Sequence, residues 1–497
     1  MAIKRYFATK DNTITNAFAE NLTTRGTGSN MGAADILETF VIHGQTSASI
    51  SAANAEQSRA IIEFPVSTIS SDMAAGTIPN SSGSIKFYLN LYNAPHGNTL
   101  PEDFTLDIKM LSQSWTEGTG LDMDNYSDLG VSNWEQRSSG NTWAQTGGRY
   151  HIGNQYVSAS AAFPTGLENM SVDVSQLVYQ WLNSTKNNNG FLIKLPDSIV
   201  SGSESYYTKM FFSRTSEYYY YRPVLEARWN SSRKDNRGNF YVSSSMVPAA
   251  DNLNTLFLYN VVRGQLANIP NLAGNTLSVE IYSGSGTPAG NPFQVDDGSN
   301  LTSFVTGGLL VENGVVQTGI YTASFSSTSS ITTIYDVWHT GSGAAPRVNF
   351  YTGSYNPISI ATSDHLYDTQ YINTITNLHD SYLKGQKPKL RVFARQKNWK
   401  PNIYTVATQE IKPEIIEDAY YQLTRTIDNL EVIPFGTGSA VNNFTRMSYD
   451  VSGNYFELDT NHLESGYSYG IQFVYYLNGE YREQPEVFKF RIEEEEA

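Results

Sequence analysis

Residues Ser114 to His151 read SWTEGTGLDMDNYSDLGVSNWEQRSSGNTWAQTGGRYH, and the rest of the chain is organised around them. The stretch sets Trp115, Trp134 and Trp143 among Gly, Asp, Asn and Ser, which favour turns. A loop of this length is usually functional or ordered by its own side chains. Five of the seven tryptophans precede residue 230. Because aromatic side chains bury large areas, we expect the largest core in this part of the chain.

The composition is typical of an all-β protein. Of the 497 residues, 16% are charged and 13% aromatic, and the chain contains 33 Tyr and 38 Gly. Aromatic residues favour strands, whereas Gly, Ser and Asn favour turns. The length exceeds one ordinary core, so we expect about two to four domains.

Charge and cysteine content exclude several classes of function. The net charge of −15 and the pI near 5.0 argue against nucleic-acid binding, since no basic patch compensates. The absence of cysteine excludes disulfides, zinc–thiolate sites and thiol nucleophiles. The N-terminal MAIKRYFATKDNTITNAF lacks the apolar core of a signal peptide, and no run of about 18 apolar residues occurs. We therefore expect assembly in a reducing cytoplasm without a membrane span.

The first 232 residues contain strand-like runs bounded by Gly, Asn, Ser and Pro. In Ser84–Tyr92, apolar Ile85, Phe87, Leu89 and Leu91 alternate with other residues, which predicts a half-buried strand. The one predicted helix is Val174–Leu182, where apolar residues recur on one face.

Several separated motifs resemble those of one family. In chain order they are Asn30-x-Gly32, Ser58-Arg59-x-Ile61-Ile62-x-Phe64, Ser114-Trp115-Thr116-Glu117-Gly118, Asp173-Val174-Ser175 with Trp181, Asn189-Gly190-Phe191-Leu192-Ile193, Phe212-Ser213-Arg214 and Arg222-Pro223-x-Leu225. Their order over about residues 10–229 resembles the DNRLRE family, jelly-roll domains related to carbohydrate-binding modules. The resemblance implies a jelly roll in which these motifs are mainly framework. The long loop from Gly118 to Ser171 departs from the family pattern, so a ligand face would be remodelled here.

The remainder of the chain predicts two smaller domains after a polar linker, Ser231–Asn239. The first has strand candidates that include Leu309–Val316, and Gly319–Phe325 is similar to closing strands of immunoglobulin-like or prealbumin-like sandwiches. The second resembles a fibronectin type III-like sandwich, and its Asn478-Gly479 dipeptide predicts a hairpin. We thus predict an all-β chain: an N-terminal jelly-roll β-sandwich (1–232), an Ig-like or prealbumin-like β-sandwich (233–380) and a fibronectin type III-like β-sandwich with an acidic tail (381–497).

Aromatic side chains are the candidates for ligand contact. Exposed aromatic rings in a Gly-rich loop can form flat platforms for glycans. The sequence therefore predicts a glycan site formed by Trp134, Trp143, Tyr150 and Tyr156. The alternative is that the two tryptophans pin the loop to the sandwich. A second tyrosine-rich patch comprises Tyr206-Tyr207 and Tyr218–Tyr221. On a strand, consecutive tyrosines would alternate between core and surface, so we favour a packing or partner-facing role over sugar stacking.

Carboxylates in the long loop offer the one candidate metal site. Asp122, Asp124 and Asp128 place oxygen atoms at alternating positions, as a calcium loop does. Ser127 replaces the required Gly and Asn133 the required Glu of an EF-hand. A structural calcium site of another type and simple turn-forming carboxylates both remain open, and no other cofactor is expected.

Catalytic patterns are weak. Glu117 and Asp128 could form a glycosidase pair, but so could many loop carboxylates, and the seven histidines show no metal-binding spacing. We therefore predict that the protein is not an enzyme.

Long modular all-β chains without cysteine or an export signal resemble structural proteins of tailed bacteriophages. The interpretation is a non-enzymatic virion protein of the neck or collar, tail, fibre or capsid decoration. Its partners would be other virion proteins, in several copies or as a homo-oligomer, with host-surface polysaccharide as a further contact. The alternative is a secreted bacterial carbohydrate-binding or polysaccharide-degradation accessory protein.

Overall fold

The computed structural model describes residues 2–43, 55–81, 83–97, 101–121, 131–153, 156–328, 331–340, 347–358, 370–400, 403, 412–436 and 443–494, with Tyr207 described by its backbone alone. The chain divides into two compact units, Ile3–Trp229 and Asn230–Ala497. In both units the strands far outnumber the helices. The all-β prediction is confirmed.

The first unit is built from short strands joined by turns and three short helices. Its strands are β1 (Ile3–Phe7), β2 (Lys10–Thr15), β3 (Ile36–Ile42), β4 (Glu56–Glu63), β5 (Ile85–Leu91), β6 (Phe104–Met110), β7 (Gln136–Ser138), β8 (Asn141–Thr142), β9 (Ser158–Phe163), β10 (Met170–Asp173), β11 (Phe191–Lys194), β12 (Tyr206–Phe212) and β13 (Val224–Trp229). Its helices are α1 (Val66–Ala74), α2 (Ser175–Leu182) and α3 (Asp197–Val200).

Two antiparallel sheets make this unit a β-sandwich. One has the order β1-β13-β5-β10, and the other has the order β12-β3-β4-β11-β6-β9 with β2 paired to β4. The alternation predicted in β5 is present, since Phe87, Leu89 and Leu91 are fully buried. The apolar side chains of β4, β6 and β11 are also buried. Ile61 and Leu192 pack with the tryptophans of the 114–151 loop, so the sheet that contains β4 and β11 is covered on both faces.

Of the helices in this unit, α2 was predicted from the sequence and α1 was not. α2 presents Leu177, Val178 and Trp181 to the core, as predicted. α1 was not predicted, because Val66 and Ile69 are its only buried residues and Ser and Thr fill most other positions. None of the helices that the structure describes has both the length and the apolar character of a membrane span.

The first part of the second unit forms one six-stranded antiparallel sheet and two small ribbons. Its strands are β14 (Asn254–Tyr259), β15 (Val261–Val262), β16 (Gln265–Leu266), β17 (Thr276–Ser283), β18 (Val295–Asp296), β19 (Leu301–Thr302), β20 (Val305–Glu312), β21 (Val315–Phe325), β22 (Ile334–His339) and β23 (Asn349–Tyr355). The sheet order is β14-β21-β20-β17-β22-β23, and β15-β16 and β18-β19 are the ribbons. Its core includes Leu256, Val279, Tyr321 and Trp338.

The predicted strand Leu309–Val316 is wrong. Asn313 and Gly314 both have positive φ angles, 55° and 81°, so they form a hairpin turn between β20 and β21. Asn-Gly suits this turn because both residues tolerate the left-handed region.

The C-terminal part is a sandwich of a four-stranded and a five-stranded sheet. Its strands are β24 (Tyr371–Ile375), β25 (Ser381–Leu383), β26 (Lys389–Gln396), β27 (Ala419–Arg425), β28 (Leu430–Ile433), β29 (Ser448–Asp450), β30 (Gly453–Glu457), β31 (Ser468–Leu477) and β32 (Glu480–Glu493). The sheet orders are β24-β26-β30-β29 and β25-β32-β31-β27-β28. β24 pairs with β26, so this sandwich begins ahead of the boundary predicted at 381. The hairpin predicted at Asn478-Gly479 is confirmed, since both residues have positive φ between β31 and β32.

The polar segment predicted as a linker, Ser231–Asn239, is part of the packed structure. Asn236 N–H donates to the Thr255 carbonyl at 2.9 Å, which ties the segment to β14. Asp235 N–H donates to the Tyr449 carbonyl at 3.1 Å, which ties it to β29. The segment therefore joins the six-stranded sheet to the C-terminal sandwich by fixed hydrogen bonds.

Candidate functional site

Trp134 and Trp143, predicted to contact glycans, lie in a small core. Only 7% of Trp134 and 4% of Trp143 is exposed, and they pack with Trp115 and neighbouring aliphatic residues. The Trp143 indole N–H donates to the Asn133 carbonyl at 2.9 Å. Their ring faces are covered in this structure, so the geometry supports the alternative role of pinning the loop.

Arg59 and Gly147 complete the packing that holds the loop against the sandwich. The Arg59 guanidinium lies 4.7 Å from the centre of the Trp134 ring and donates to the Gly147 carbonyl at 2.7 Å. Gly147 has a φ of +77°, and a Cβ there would come within 2.8 Å of Trp134. The close approach requires Gly, so the loop, the indole and the buried arginine form one packed unit.

Tyr150 and Tyr156 are not gathered with the tryptophans into a platform. Tyr150 is half-buried against the same core, and burial raises its pKa. Tyr156 is 45% exposed. Of the four predicted glycan residues, Tyr156 has the largest exposed fraction, and a single ring offers little area for specific recognition.

The predicted carboxylate sites have different outcomes. Asp122, Asp124 and Asp128 lie outside the described residues, so the calcium site and the Glu117–Asp128 pair stay predictions. Among the residues that the structure does describe, no group of three or more His, Cys, Asp or Glu is placed to hold a metal ion.

Glu117 is engaged in the framework of the first unit. Its carboxylate accepts two hydrogen bonds from Arg214 Nη2, at 2.9 and 2.8 Å, and one from the Asp11 N–H at 2.9 Å. The Asp11 carboxylate accepts from the Arg214 N–H at 2.5 Å. Burial raises the pKa of Asp11 to about 7, the Arg214 N–H opposes this shift, and the charge of Glu117 adds to it. The motif residues Glu117 and Arg214 are thus bonded to Asp11 of β2.

The backbone of the tyrosine patch differs from the prediction in one of its two parts: Tyr206 and Tyr207 lie on strand β12, as predicted, but Tyr218–Tyr221 do not lie on a strand. Tyr219–Tyr221 form one turn of 3-10 helix rather than a strand. Pro223 follows this turn and disfavours further helix, and Arg222 Nε donates to the Ser216 carbonyl at 2.8 Å. Tyr220 is buried, whereas Tyr218 and Tyr219 are exposed. The patch thus divides into core and surface, as predicted, although by a turn.

Exposed valines lie on two neighbouring hairpins, a feature that the sequence analysis did not identify, and Val311 and Val316 are direct cross-strand partners. Two neighbouring hairpins of the six-stranded region carry Val261, Val262, Val311, Val315 and Val316, which are 38–60% exposed; we call them the valine surface. Asn260 N–H donates to the Gly319 carbonyl at 2.8 Å and joins the bases of the hairpins. Recognising the Asn313-Gly314 turn would have revealed this surface, because the turn places β-branched residues at a hairpin end.

An open cleft beside Trp399 was also missed. It has a volume of about 270 Å³ and lies at the end of β26, lined by Arg395, Gln396, Trp399, Lys412, Pro413 and Glu414. The signal in the sequence was a tryptophan between lysines, Lys397 to Lys400, since Trp is seldom left at a charged surface.

Comparisons with known proteins provide little further information. No family model and no curated protein matches the chain. Among solved structures, one titled "Biofilm associated protein - BSP domain" is 9% identical to the chain, with 98% of this chain and 82% of that chain covered and a TM-score of 0.13. At this TM-score the likeness carries no argument about fold or function, and the resemblance to the DNRLRE family stays a sequence-based expectation.

Proposed function

We propose that the protein is a non-enzymatic structural component of a tailed-bacteriophage virion and acts by binding other virion proteins. The observation that carries this proposal is the valine surface. Monomeric proteins seldom expose clustered apolar side chains, and such clusters are typical of sites that bind partner proteins. Five exposed valines lie on two joined hairpins, and Val311 and Val316 form a cross-strand apolar pair on one of them, in a chain with few charges.

The internal connections of the second unit favour the same role. The segment Ser231–Asn239 forms hydrogen bonds with both β14 and β29. The six-stranded sheet and the C-terminal sandwich are therefore not joined by a flexible linker. Arg237 and Asp336 add a buried ion pair.

The proposal for the first unit rests on the motif residues. Arg59 bonds to the pinned loop, and Arg214 bonds to Glu117. These roles are compatible with the framework function implied by the resemblance to DNRLRE jelly rolls.

Mass spectrometry of purified particles from a lysate of cells that carry the gene is the test. We expect the full chain to co-purify with particles through a density gradient, at a constant ratio to the major capsid protein. A fragment that ends at Ser231 should fold, because Ile3–Trp229 is a compact unit, but should be absent from particles. Full-length protein found in the culture medium, with none on particles, would instead favour the secreted carbohydrate-binding alternative.

A further inference from the structure

We propose that the cleft beside Trp399 binds one pyranose ring that carries a carboxylate, such as a uronic-acid residue of a polysaccharide. This inference does not depend on the virion proposal, because the site could serve either a phage or a secreted protein.

The walls of the cleft are held in place by the C-terminal sandwich. On one side the backbone N–H of Trp399 donates to the Gln396 carbonyl at 3.2 Å, which ties the backbone of Trp399 to the end of β26. On the other side Glu414 N–H donates to the Ala394 carbonyl at 2.8 Å. Buried Asn454 then bonds to both the N–H and the carbonyl of Ile416, at 2.9 and 2.7 Å. The two walls are therefore formed before any ligand binds.

The indole supplies an apolar surface. Trp399 is 36% exposed. An aromatic face contacts apolar groups well, while its ring edge and N–H favour polar neighbours. One face of a pyranose carries C–H groups and its rim carries hydroxyls, so the ring can lie on an indole and still present hydroxyls to polar side chains.

The cleft has a polar pair that suits hydroxyl groups. Gln396 Nε2 donates to Glu414 Oε1 at 2.9 Å, which orients both planar groups. Within the described part of the chain, neither Gln396 Oε1 nor Glu414 Oε2 has a further hydrogen bond. Both oxygens accept, so they can receive hydrogen bonds from two sugar hydroxyls.

The charges favour an anion of low charge. Arg395 and Lys412 bring two positive charges to the cleft and Glu414 one negative charge, on a chain whose net charge is −15. Among the described residues, no ion pair involves Arg395. Arg binds a carboxylate through two parallel hydrogen bonds. A phosphate with two negative charges would meet the repulsion of Glu414, so a single carboxylate fits better.

The volume restricts the ligand to one ring. Small-molecule pockets usually span about 300–1,000 Å³. At about 270 Å³ the cleft is below this range and open to solvent, so one ring can be held while the rest of a chain extends outwards. A nucleotide, with base, ribose and phosphate, would be too large.

Titration of the full-length protein by saturation-transfer NMR and calorimetry tests the proposal. The probes are methyl β-D-glucuronide, methyl β-D-glucoside, free glucuronic acid, UMP and inorganic phosphate. We expect the glucuronide to bind at least about tenfold more tightly than the glucoside, the effect of one added charge-assisted interaction. If methyl β-D-glucuronide and free glucuronic acid bind equally, the natural ligand is a residue of a polysaccharide. If only free glucuronic acid binds, the natural ligand is the free sugar.

Three variants separate the site from non-specific attraction. Trp399→Ala and Arg395→Gln should each weaken glucuronide binding at least about tenfold. Lys489→Gln, which changes an exposed lysine of the same sandwich, should leave it unchanged. A cooperative thermal unfolding transition in all three variants shows that each of them is folded. The proposal is overturned if methyl β-D-glucuronide does not bind or if UMP or phosphate binds more tightly than the glucuronide. It is also overturned if Trp399→Ala and Arg395→Gln both bind the glucuronide as tightly as the wild type does.

Discussion

Arg237 Nη2 lies 2.6 Å from Asp336 Oδ2, and both side chains are buried, with 7% of Arg237 and none of Asp336 exposed. Asp336 also accepts a hydrogen bond from the Trp338 indole N–H at 2.7 Å. Arg237 belongs to the segment predicted as a linker, and its partner lies on β22. The pair anchors that segment to the six-stranded sheet.

Arg237→Met should therefore destabilise the unit Asn230–Ala497. The substitution leaves the Asp336 charge buried without its partner, which costs about 3–5 kcal/mol. Differential scanning calorimetry should show a lower transition temperature for this unit and an unchanged one for Ile3–Trp229. Arg263→Gln, at an exposed hairpin turn, is the control. Equal transition temperatures for Arg237→Met and Arg263→Gln would mean that the ion pair contributes little to the stability of this unit.

Glu226→Gln should destabilise the first unit in a pH-dependent way. Glu226 lies 2.7 Å from Arg5 and 2.6 Å from Arg228. Burial alone would raise the pKa of Glu226, but the charges and hydrogen bonds of Arg5 and Arg228 outweigh it and lower the pKa to about 2. Because the folded pKa is depressed, this stabilisation is present above the unfolded pKa near 4.5 and is lost as the pH falls through about 2.

Urea unfolding should show a loss of about 3–5 kcal/mol for Glu226→Gln at pH 7, since two buried guanidinium groups lose their partner. The difference from wild type should shrink as the pH falls from 5 towards 2. Glu217→Gln changes an exposed carboxylate and should have no effect. A difference that stays constant with pH would contradict the assignment.

Asp11→Asn should stabilise the first unit at neutral and alkaline pH. With a folded pKa of about 7, Asp11 holds a proton that the unfolded chain releases near 3.8. Its contribution to stability is therefore complete below 3.8 and is lost as the pH rises through 7. An amide oxygen can still accept from the Arg214 N–H. We expect a gain of at least about 1 kcal/mol at pH 8 and none at pH 3, measured by chemical unfolding.

Trp143→Ala should weaken the packing of the long loop and destabilise the first unit. Removing a buried indole costs about 3–5 kcal/mol. Tyr156→Ala removes a ring that is 45% exposed and should change stability much less, by about 0.5 kcal/mol. Thermal unfolding and binding to host polysaccharide, measured on both variants, distinguish packing from recognition. Weaker polysaccharide binding in Trp143→Ala at unchanged stability would restore the glycan assignment.

Replacing Val311 and Val316 by Thr should impair assembly without impairing the fold. The two residues face each other across the β20–β21 hairpin, and Thr keeps the β-branched shape while adding a hydroxyl. We expect incorporation into particles to fall about tenfold, equivalent to 1.4 kcal/mol, at an unchanged melting temperature. Val451→Thr, an exposed valine in a turn, is the matched control. Normal incorporation of the double variant would remove the valine surface from the interface.

Local sequence patterns were enough to predict the all-β fold class and the elements that depend on neighbours along the chain. Alternation in β5, the apolar face of α2 and the Asn478-Gly479 turn are local patterns with one structural solution, so they were predicted correctly. α1 was missed because two buried residues make too weak a pattern.

The roles of side chains that have partners far away in the sequence could be assigned only from the three-dimensional structure. Nothing near Trp134 in the sequence shows that Arg59 will cover its ring, and nothing in Ser231–Asn239 shows that Asp336 will bury Arg237. The same holds for the Trp399 cleft, whose second wall is formed by Lys412–Glu414. Burial and pairing of a side chain depend on which segments meet in space, so composition and periodicity predict that a polar segment is a linker even where folding packs it against two sheets.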